Sequence, residues 1–269
     1  MPTQALVDEL LALALDVARA GGELALHERP VDLITDTKSS PTDVVTEMDR
    51  ATEELLVTRI LARRPDDGIL GEEGGERTGT SGVRWVLDPI DGTTNYLYGL
   101  PIWAVSVAAE VDGVVVAGVV DAPALGRRYA AARGAGSWED GPLGRRVLQA
   151  SAGRSLAEAL VSTGFAYTSE RRAQQAEDLR ALAPLVRDIR RLGAASLDLA
   201  WVGAGYVDAY FESGLHAWDV AAGGLIAREA GAIVSTLPAV SPLGEVTVAA
   251  TPGVHDALCK VLVSSVDAP

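Results

Sequence analysis

The sequence predicts a mixed α/β protein in two halves, one more antiparallel and one with strands and helices in alternation. Three observations predict it. Two β-rich runs meet at Asp112-Gly113, a strong hairpin signal. Short apolar runs at 68–70 and 84–87 each end in carboxylates, as strands feeding a polar site do. Beyond a Gly-rich stretch at 134–144, strand-like and helix-like segments alternate.

Taken in order, Leu6, Leu10, Leu13, Val17 and Leu24 recur at helical spacing and predict an opening helix over 3–27, its pattern weaker after Gly21-Gly22. A second helix is predicted over 49–64, with Leu55, Leu56 and Ile60 inward and Pro65 and Gly68 closing it. Between them KSSPTDVVTEMD predicts a loop or loose hairpin. Strands follow at 68–70 and 84–87, then the hairpin of 103–111 with 114–121, and 129–132 extends the same sheet. The 134–144 stretch is the natural boundary, dividing one catalytic unit into 1–140 and 141–269. In the second half ALVSTG, IRRL and VDAYFE read as strands. Helices are predicted at 170–182, after Gly193, from near Asp219 to Gly231, and at 255–263.

A chain of 269 residues buries a large core. Its 37 acidic residues against 23 basic ones leave a net charge of −14, the opposite of the broad basic face that nucleic acid demands. Such a balance suits a protein that recruits cations and uses them to hold an anionic substrate. Cys259 is the only cysteine, which excludes an internal disulfide and fits a reducing compartment. The N-terminus carries no basic leader with a long apolar core, and no apolar run is long enough to span a membrane. The expectation is a cytoplasmic protein with no membrane and no direct nucleic-acid partner.

The most informative stretch is WVLDPIDGTTNYLYGLP, residues 85–101. An apolar strand delivers Asp88, Pro89 stops it, and Asp91 follows three residues on. Gly92 permits close backbone approach, and Thr93-Thr94-Asn95 can begin a helix whose N–H groups favour a phosphate. Two acids in one turn repel each other unless a cation lies between them, and Mg²⁺ takes such carboxylate and carbonyl oxygens. The plainer reading of Asp88-Pro89 alone is a surface Asx-turn. GEEGG sets Glu72 and Glu73 after another apolar run, although paired Glu in a Gly-rich loop is also an ordinary solvated feature. HAWDVAAGGLIAREAG sets Asp219 at a helix start, where an N-cap role competes with a ligand role. Asp49 likewise opens a helix and reads as a cap or as a further site acid, with Asp43 nearby. Glu212, ending VDAYFE, is either a solvated strand-terminal acid or an acceptor for vicinal hydroxyls. Trp218 reads as packing beside Asp219, and Arg190-Arg191 as a solvated pair.

No cysteine precedes a Gly-rich loop and an Arg, the arrangement a cysteine phosphatase uses. Cys259 falls on an amphipathic helix pattern, and His27, His216 and His255 are scattered. Nucleophilic catalysis by a cysteine or a histidine is therefore disfavoured.

KSSPTDVVTEMD, GEEGG, WVLDPIDGTTNY and WDVAAGGLIAREAG, in that order, resemble the inositol monophosphatase family, as do RRLGAASLDL and VDAYFESGLHAWD between them. The resemblance extends over nearly the whole chain and is nearest to bacterial members of high-GC Gram-positive type. It implies a layered αβαβα sandwich of the sugar-phosphatase type, commonly a homodimer. It implies two or three Mg²⁺ ions held by Glu72, Asp88, Asp91, Asp219 and the carbonyl of Ile90. Asp49 and Thr93 would position and help deprotonate the attacking water, with Glu72 also counted as catalytic. Gly92 and Thr93 would donate N–H groups to the phosphate, beside Ile90 and Asp91. Gly193, Ala194, Ala195, Glu212 and Asp219 would face the ring, and Lys38 would support the metal loop. Residues 165–167 vary in the family's pocket, so Tyr167 is expected to reshape it. The implied activity is Mg²⁺-dependent hydrolysis of a small phosphate ester, foremost myo-inositol monophosphate, by metal-activated water. The alternatives are fructose-1,6-bisphosphatase activity, alone or in addition, and a regulatory binding protein with secondary phosphatase activity.

Overall fold

The computed structural model describes residues 2–38, 42–238 and 244–264. Helix α1 (Gln4–His27) starts on Thr3, whose hydroxyl accepts the N–H of Leu6. It continues through Gly21 and Gly22 because tertiary packing decides there. A Cβ on Gly21 would stand 2.9 Å from Leu56, and one on Gly22 would strike the Asp121 carboxylate.

Strands β1 (Thr35–Thr37) and β2 (Val44–Thr46) form an antiparallel pair, so the KSSPTDVVTEMD segment takes the hairpin alternative. Residues 39–41 of that segment lie outside the described residues. Helix α2 (Glu47–Arg63) opens two residues earlier than the sequence suggests, since Thr46 rather than Asp49 is its cap. Thr46 Oγ1 accepts from Met48 and Asp49, while the Asp49 carboxylate accepts the Thr46 N–H at 2.8 Å.

The first sheet is built from β3 (Gly68–Gly71), β4 (Gly75–Arg77), β5 (Val83–Asp91), β6 (Ala104–Val111), β7 (Val114–Ala122), β8 (Arg127–Ala132), β9 (Gly136–Gly141) and β10 (Gly144–Val147). Its order is β10-β9-β8-β7-β6-β5-β3-β4, antiparallel except where β3 meets β5. Asp112 and Gly113 both have positive φ, 49° and 76°, as the tight β6–β7 turn requires. The Gly-rich 134–144 stretch carries β9 and the start of β10, so this sheet runs on to Val147. A short helix α3 (Thr93–Leu97) interrupts the path from β5 to β6.

In the second half β11 (Leu160–Thr163), α4 (Ser169–Leu182), β12 (Asp188–Arg190), α5 (Ala195–Ala204), β13 (Ala209–Ser213), α6 (Ala217–Glu229), β14 (Ile233–Leu237), β15 (Val246–Ala250) and α7 (Pro252–Ser264) follow. The second sheet runs β12-β11-β13-β15-β14, parallel across β12, β11 and β13 and antiparallel beyond.

Alternation along β5 builds the layers. Trp85 and Leu87 pack on Leu10, Leu13 and Val17 of α1 and Leu56 and Ile60 of α2. Val86, facing the other way, packs with Leu197 of α5 and Ala222 and Leu225 of α6. The far sides of α5 and α6 cover Tyr210 and Ala249 of the second sheet through Leu199, Val202 and Ala227. On the outer face of that sheet, Leu182 of α4 and Leu258 of α7 meet Val161, Phe211 and Val248. The result is a layered αβαβα sandwich. Small residues let the middle layer close tightly. A Cβ on Gly118 would stand 2.9 Å from the Ala222 backbone, and one on Gly223 would lie 2.5 Å from the Ser196 carbonyl oxygen.

Candidate active site

Strand β5 carries two acids at the end of its pairing with β6, Asp88 opposite Ser106 and Asp91 opposite Ala104, with a register shift between them. Asp219 arrives from the first turn of α6, and its carboxylate accepts the His216 N–H at 2.6 Å. The three carboxylates each bring an oxygen within 4.8 Å of the others. Asp88 is 2% exposed and Asp91 7%. Burial, then the charges of Glu72, Asp91 and Asp219, pushes Asp88 well above the usual carboxylate range. Burial and then Asp91 do the same to Asp219. Burial lifts Asp91 to about 6, although hydrogen bonds from Ser196 and Ala195 oppose it. Among the described residues no donor reaches the buried Oδ1 of Asp88. An oxygen-only set of crowded acids with one orphaned oxygen fits a hard divalent cation.

Asp91 is fixed by the start of α5, where its oxygens accept from Ala195 N (3.1 Å), Ser196 N (2.7 Å) and Ser196 Oγ (2.5 Å). Asp49 is fully buried. It accepts from Thr46 and, at 3.0 Å, faces Thr93 Oγ1, which also lies 3.0 Å from the Ile90 carbonyl oxygen. Burial raises Asp49, with the Thr46 and Thr93 hydrogen bonds opposing. Gly92 has φ 90°, and a Cβ there would come within 3.0 Å of the carbonyl oxygens of Gly193 and Ile102. Only glycine fits that turn.

Part of this constellation borders a cleft of about 310 Å³. Glu72, Asp91, Gly92 and Asp219 line it, as do Gly193, Ala195 and Glu212. Asp88, Ile90, Asp49 and Ala194 are buried away from its lining, Ala194 inside the core beside Leu197. Glu72 stands outside the group of three and accepts from Lys38 Nζ at 2.9 Å; Lys38 also pairs with Glu73. Burial opposes the Lys38 charge, but Glu72 and Glu73 outweigh it and raise its pKa. Burial lifts Glu212 to about 7 against the Tyr210 hydroxyl, which donates at 2.6 Å, and the Arg191 charge.

Sequence reasoning passes over three contributors. Thr46 was visible as Thr-x-x-Asp before a helix. Ser196 gives no local signal, because its partner Asp91 is 105 residues away. Arg191 was read as half of a solvated pair; Arg190 does pair outward with Asp188 at 2.6 Å, but Arg191 lines the cleft against Gly193. Trp218, expected as packing, also stacks on His216 with centroids 4.7 Å apart at the cleft wall. Tyr167 lies at the rim, 48% exposed. Cys259 sits on α7, partly buried beside His255, outside the cleft lining.

A model of the inositol monophosphatase family matches residues 6–267. An inositol-1-monophosphatase of Mycobacterium leprae is 51% identical over 232 residues, 84% of this chain and 80% of that protein. A protein named Nus factor SuhB from Pseudomonas aeruginosa is 40% identical over 237 residues, 84% of each. The solved structure of Mycobacterium tuberculosis SuhB superposes with a TM-score of 0.79 at 42% identity, covering 97% of this chain and 96% of that one. The Thermotoga maritima IMPase structure gives 0.84 at 31% identity, covering 96% and 98%. No described helix is long and apolar enough to cross a membrane. Sequence, fold and clustered acids agree, and the chain belongs to the inositol monophosphatase family, whose members are phosphatases that hydrolyse phosphate monoesters.

Proposed function

We propose that the enzyme hydrolyses myo-inositol monophosphate, or a closely similar polyol phosphate, to the free polyol and phosphate, with Mg²⁺ held by Glu72, Asp88, Asp91, Asp219 and the Ile90 carbonyl. The observation that carries this reading is the buried Asp88-Asp91-Asp219 group, with oxygens within 4.8 Å of one another and no donor on Asp88 Oδ1 among the described residues. Bound Mg²⁺, as two or three ions, supplies charge neutralisation at the phosphoryl group and lowers the pKa of a coordinated water.

The chain's own residues do the rest. Thr93 Oγ1 lies 3.0 Å from Asp49, so a proton received at the hydroxyl can pass to that carboxylate. The N–H groups of Gly92 and Thr93, at the turn out of β5, donate to phosphate oxygens. Asp91, tied to α5, holds the β5 turn in place against Gly193 and Ala195, which border the ring. Glu212 accepts hydrogen bonds from vicinal hydroxyls and selects a polyol over an apolar leaving group. Strands from 1–140 and helices from 141–269 would build one catalytic unit, a reading the Asp91–Ser196 contact supports. A cytoplasmic homodimer without direct nucleic-acid contact completes the proposal, supported by family likeness and the net charge of −14.

One observation favours a second reading. Arg191 adds a guanidinium to the leaving-group side of the cleft, which suits a second phosphate such as that of fructose 1,6-bisphosphate. Phosphate release from myo-inositol 1-phosphate and from fructose 1,6-bisphosphate, each with Mg²⁺ and with chelator, separates the two. Faster turnover of the inositol ester supports the first reading. A dominant rate on the bisphosphate overturns it in favour of the second, and metal-independent release overturns both.

A further inference from the structure

Glu53 lies on α2 one helical turn after Asp49 and is 6% exposed. Buried carboxylates are costly unless hydrogen-bonded. Its two oxygens accept the backbone N–H groups of Glu73, at 2.9 Å, and Gly74, at 2.5 Å. Those groups belong to the β3–β4 turn, the turn that presents Glu72. The turn is shaped around this carboxylate. A Cβ on Gly71 would stand 2.6 Å from the Glu53 oxygens, and one on Gly74 would stand 2.7 Å away. Neither glycine has a positive φ, so it is space beside Glu53, not backbone angle, that excludes a side chain there.

We propose that Glu53 is a positioning residue for the metal site: it clamps the Glu72 turn onto α2 and so fixes the spacing between Glu72 and Asp49. The inference rests on Glu72 being a Mg²⁺ ligand. Asp49 and Glu53 are four residues apart on one helix and therefore share a face. Asp49 is tied to the β5 turn through Thr93, and Glu53 to the β3–β4 turn through two amides. One rigid helix thus sets two site segments that are distant in sequence, while Lys38 holds the Glu72 side chain itself. Glutamine at position 53 keeps the size but offers one acceptor oxygen, leaving its NH₂ facing an N–H donor.

The test is Mg²⁺ affinity of Glu53→Gln by isothermal titration calorimetry, alongside the thermal midpoint of the chelated protein. Partners that orient metal ligands typically contribute a factor of about 10–100 in affinity. A loss of that order, with the chelated midpoint within a few degrees of wild type, is the expected result. Unchanged Mg²⁺ affinity overturns the proposal. Gly74→Ala, which keeps Glu53 but pushes the turn away from it, provides a second measurement should Glu53→Gln fold poorly; it too is expected to weaken Mg²⁺ binding, and unchanged affinity there counts against the clamp. Asp88→Asn is the control for the underlying reading. If it binds Mg²⁺ as wild type does, the metal assignment itself fails, separately from the role of Glu53.

Discussion

Thr93 Oγ1 lies 3.0 Å from the Asp49 carboxylate across 44 residues of sequence, joining the second helix to the turn that carries Asp88 and Asp91. The same hydroxyl is 3.0 Å from the Ile90 carbonyl oxygen, so its single proton serves one acceptor at a time. In the proposed mechanism this hydroxyl relays a proton to the buried Asp49 carboxylate. Asp49→Asn is therefore expected to lower kcat by roughly 100- to 10,000-fold, the range typical of general-base loss. Steady-state kinetics check this, and a change confined to KM contradicts it.

Metal removal has a folding consequence. Asp88, Asp91 and Asp219 come from two distant segments and repel one another, so a cation among them binds the folded state far better than the unfolded one. Adding Mg²⁺ to chelated protein is expected to raise the thermal midpoint. Differential scanning fluorimetry tests it, and an unchanged midpoint argues against a cation bound among these three acids.

Packing reaches the site through Gly118. Its strand β7 touches α6 at Ala222, one turn from Asp219, and a Cβ would stand 2.9 Å from the Ala222 backbone. Gly118→Ala is expected to cost roughly 1–3 kcal/mol, as overpacking does, and to weaken Mg²⁺ binding by displacing the helix. Urea unfolding and metal titration measure the two effects. Loss of stability with intact Mg²⁺ affinity would detach packing from the site.

Glu212 supplies a pH signature. Burial raises it from 4.5 to about 7, so the neutral acid is favoured in the folded protein. Its contribution to stability is full below 4.5 and is lost as pH rises through about 7. The shift corresponds to at most about 3 kcal/mol. Glu212→Gln, which cannot ionise, is expected to melt above wild type at pH 8 and level with it at pH 4. A gap that does not change with pH contradicts the assignment.

Much of this arrangement was legible because it is local. Asp88 and Asp91 stand where an apolar strand meets Pro and Gly, and the β6–β7 hairpin needs only Asp112-Gly113. Asp219 was read either as a cap or as part of a site; the cap is His216, whose N–H Asp219 accepts, and the Asp219 carboxylate lies beside those of Asp88 and Asp91. What escaped depends on partners far along the chain. Ser196 reaches Asp91 only after α5 packs against the first sheet, and Glu53 reads as an exposed helix acid until the Glu72 turn folds over it. The strands β14 (IVSTL) and β15 (VTVAA) were not among those predicted. The Gly-rich 134–144 stretch looked like a boundary because glycines mark turns, and here they mark the turns on either side of β9.

Arg191→Ala is expected to lower kcat/KM for fructose 1,6-bisphosphate by about 10-fold, the scale of one charge-assisted hydrogen bond, and to change the inositol ester little. Equal effects on both substrates would remove Arg191 from leaving-group recognition.

The most direct measurement is the Mg²⁺ dependence of phosphate release from myo-inositol 1-phosphate by wild type and by Asp88→Asn. Saturable, chelator-sensitive turnover in wild type and its near-complete loss in the variant is the expected result. Turnover in wild type that persists in chelator, or a variant that keeps the wild-type Mg²⁺ dependence, would contradict the assignment of the three-acid group as the metal-dependent phosphatase centre.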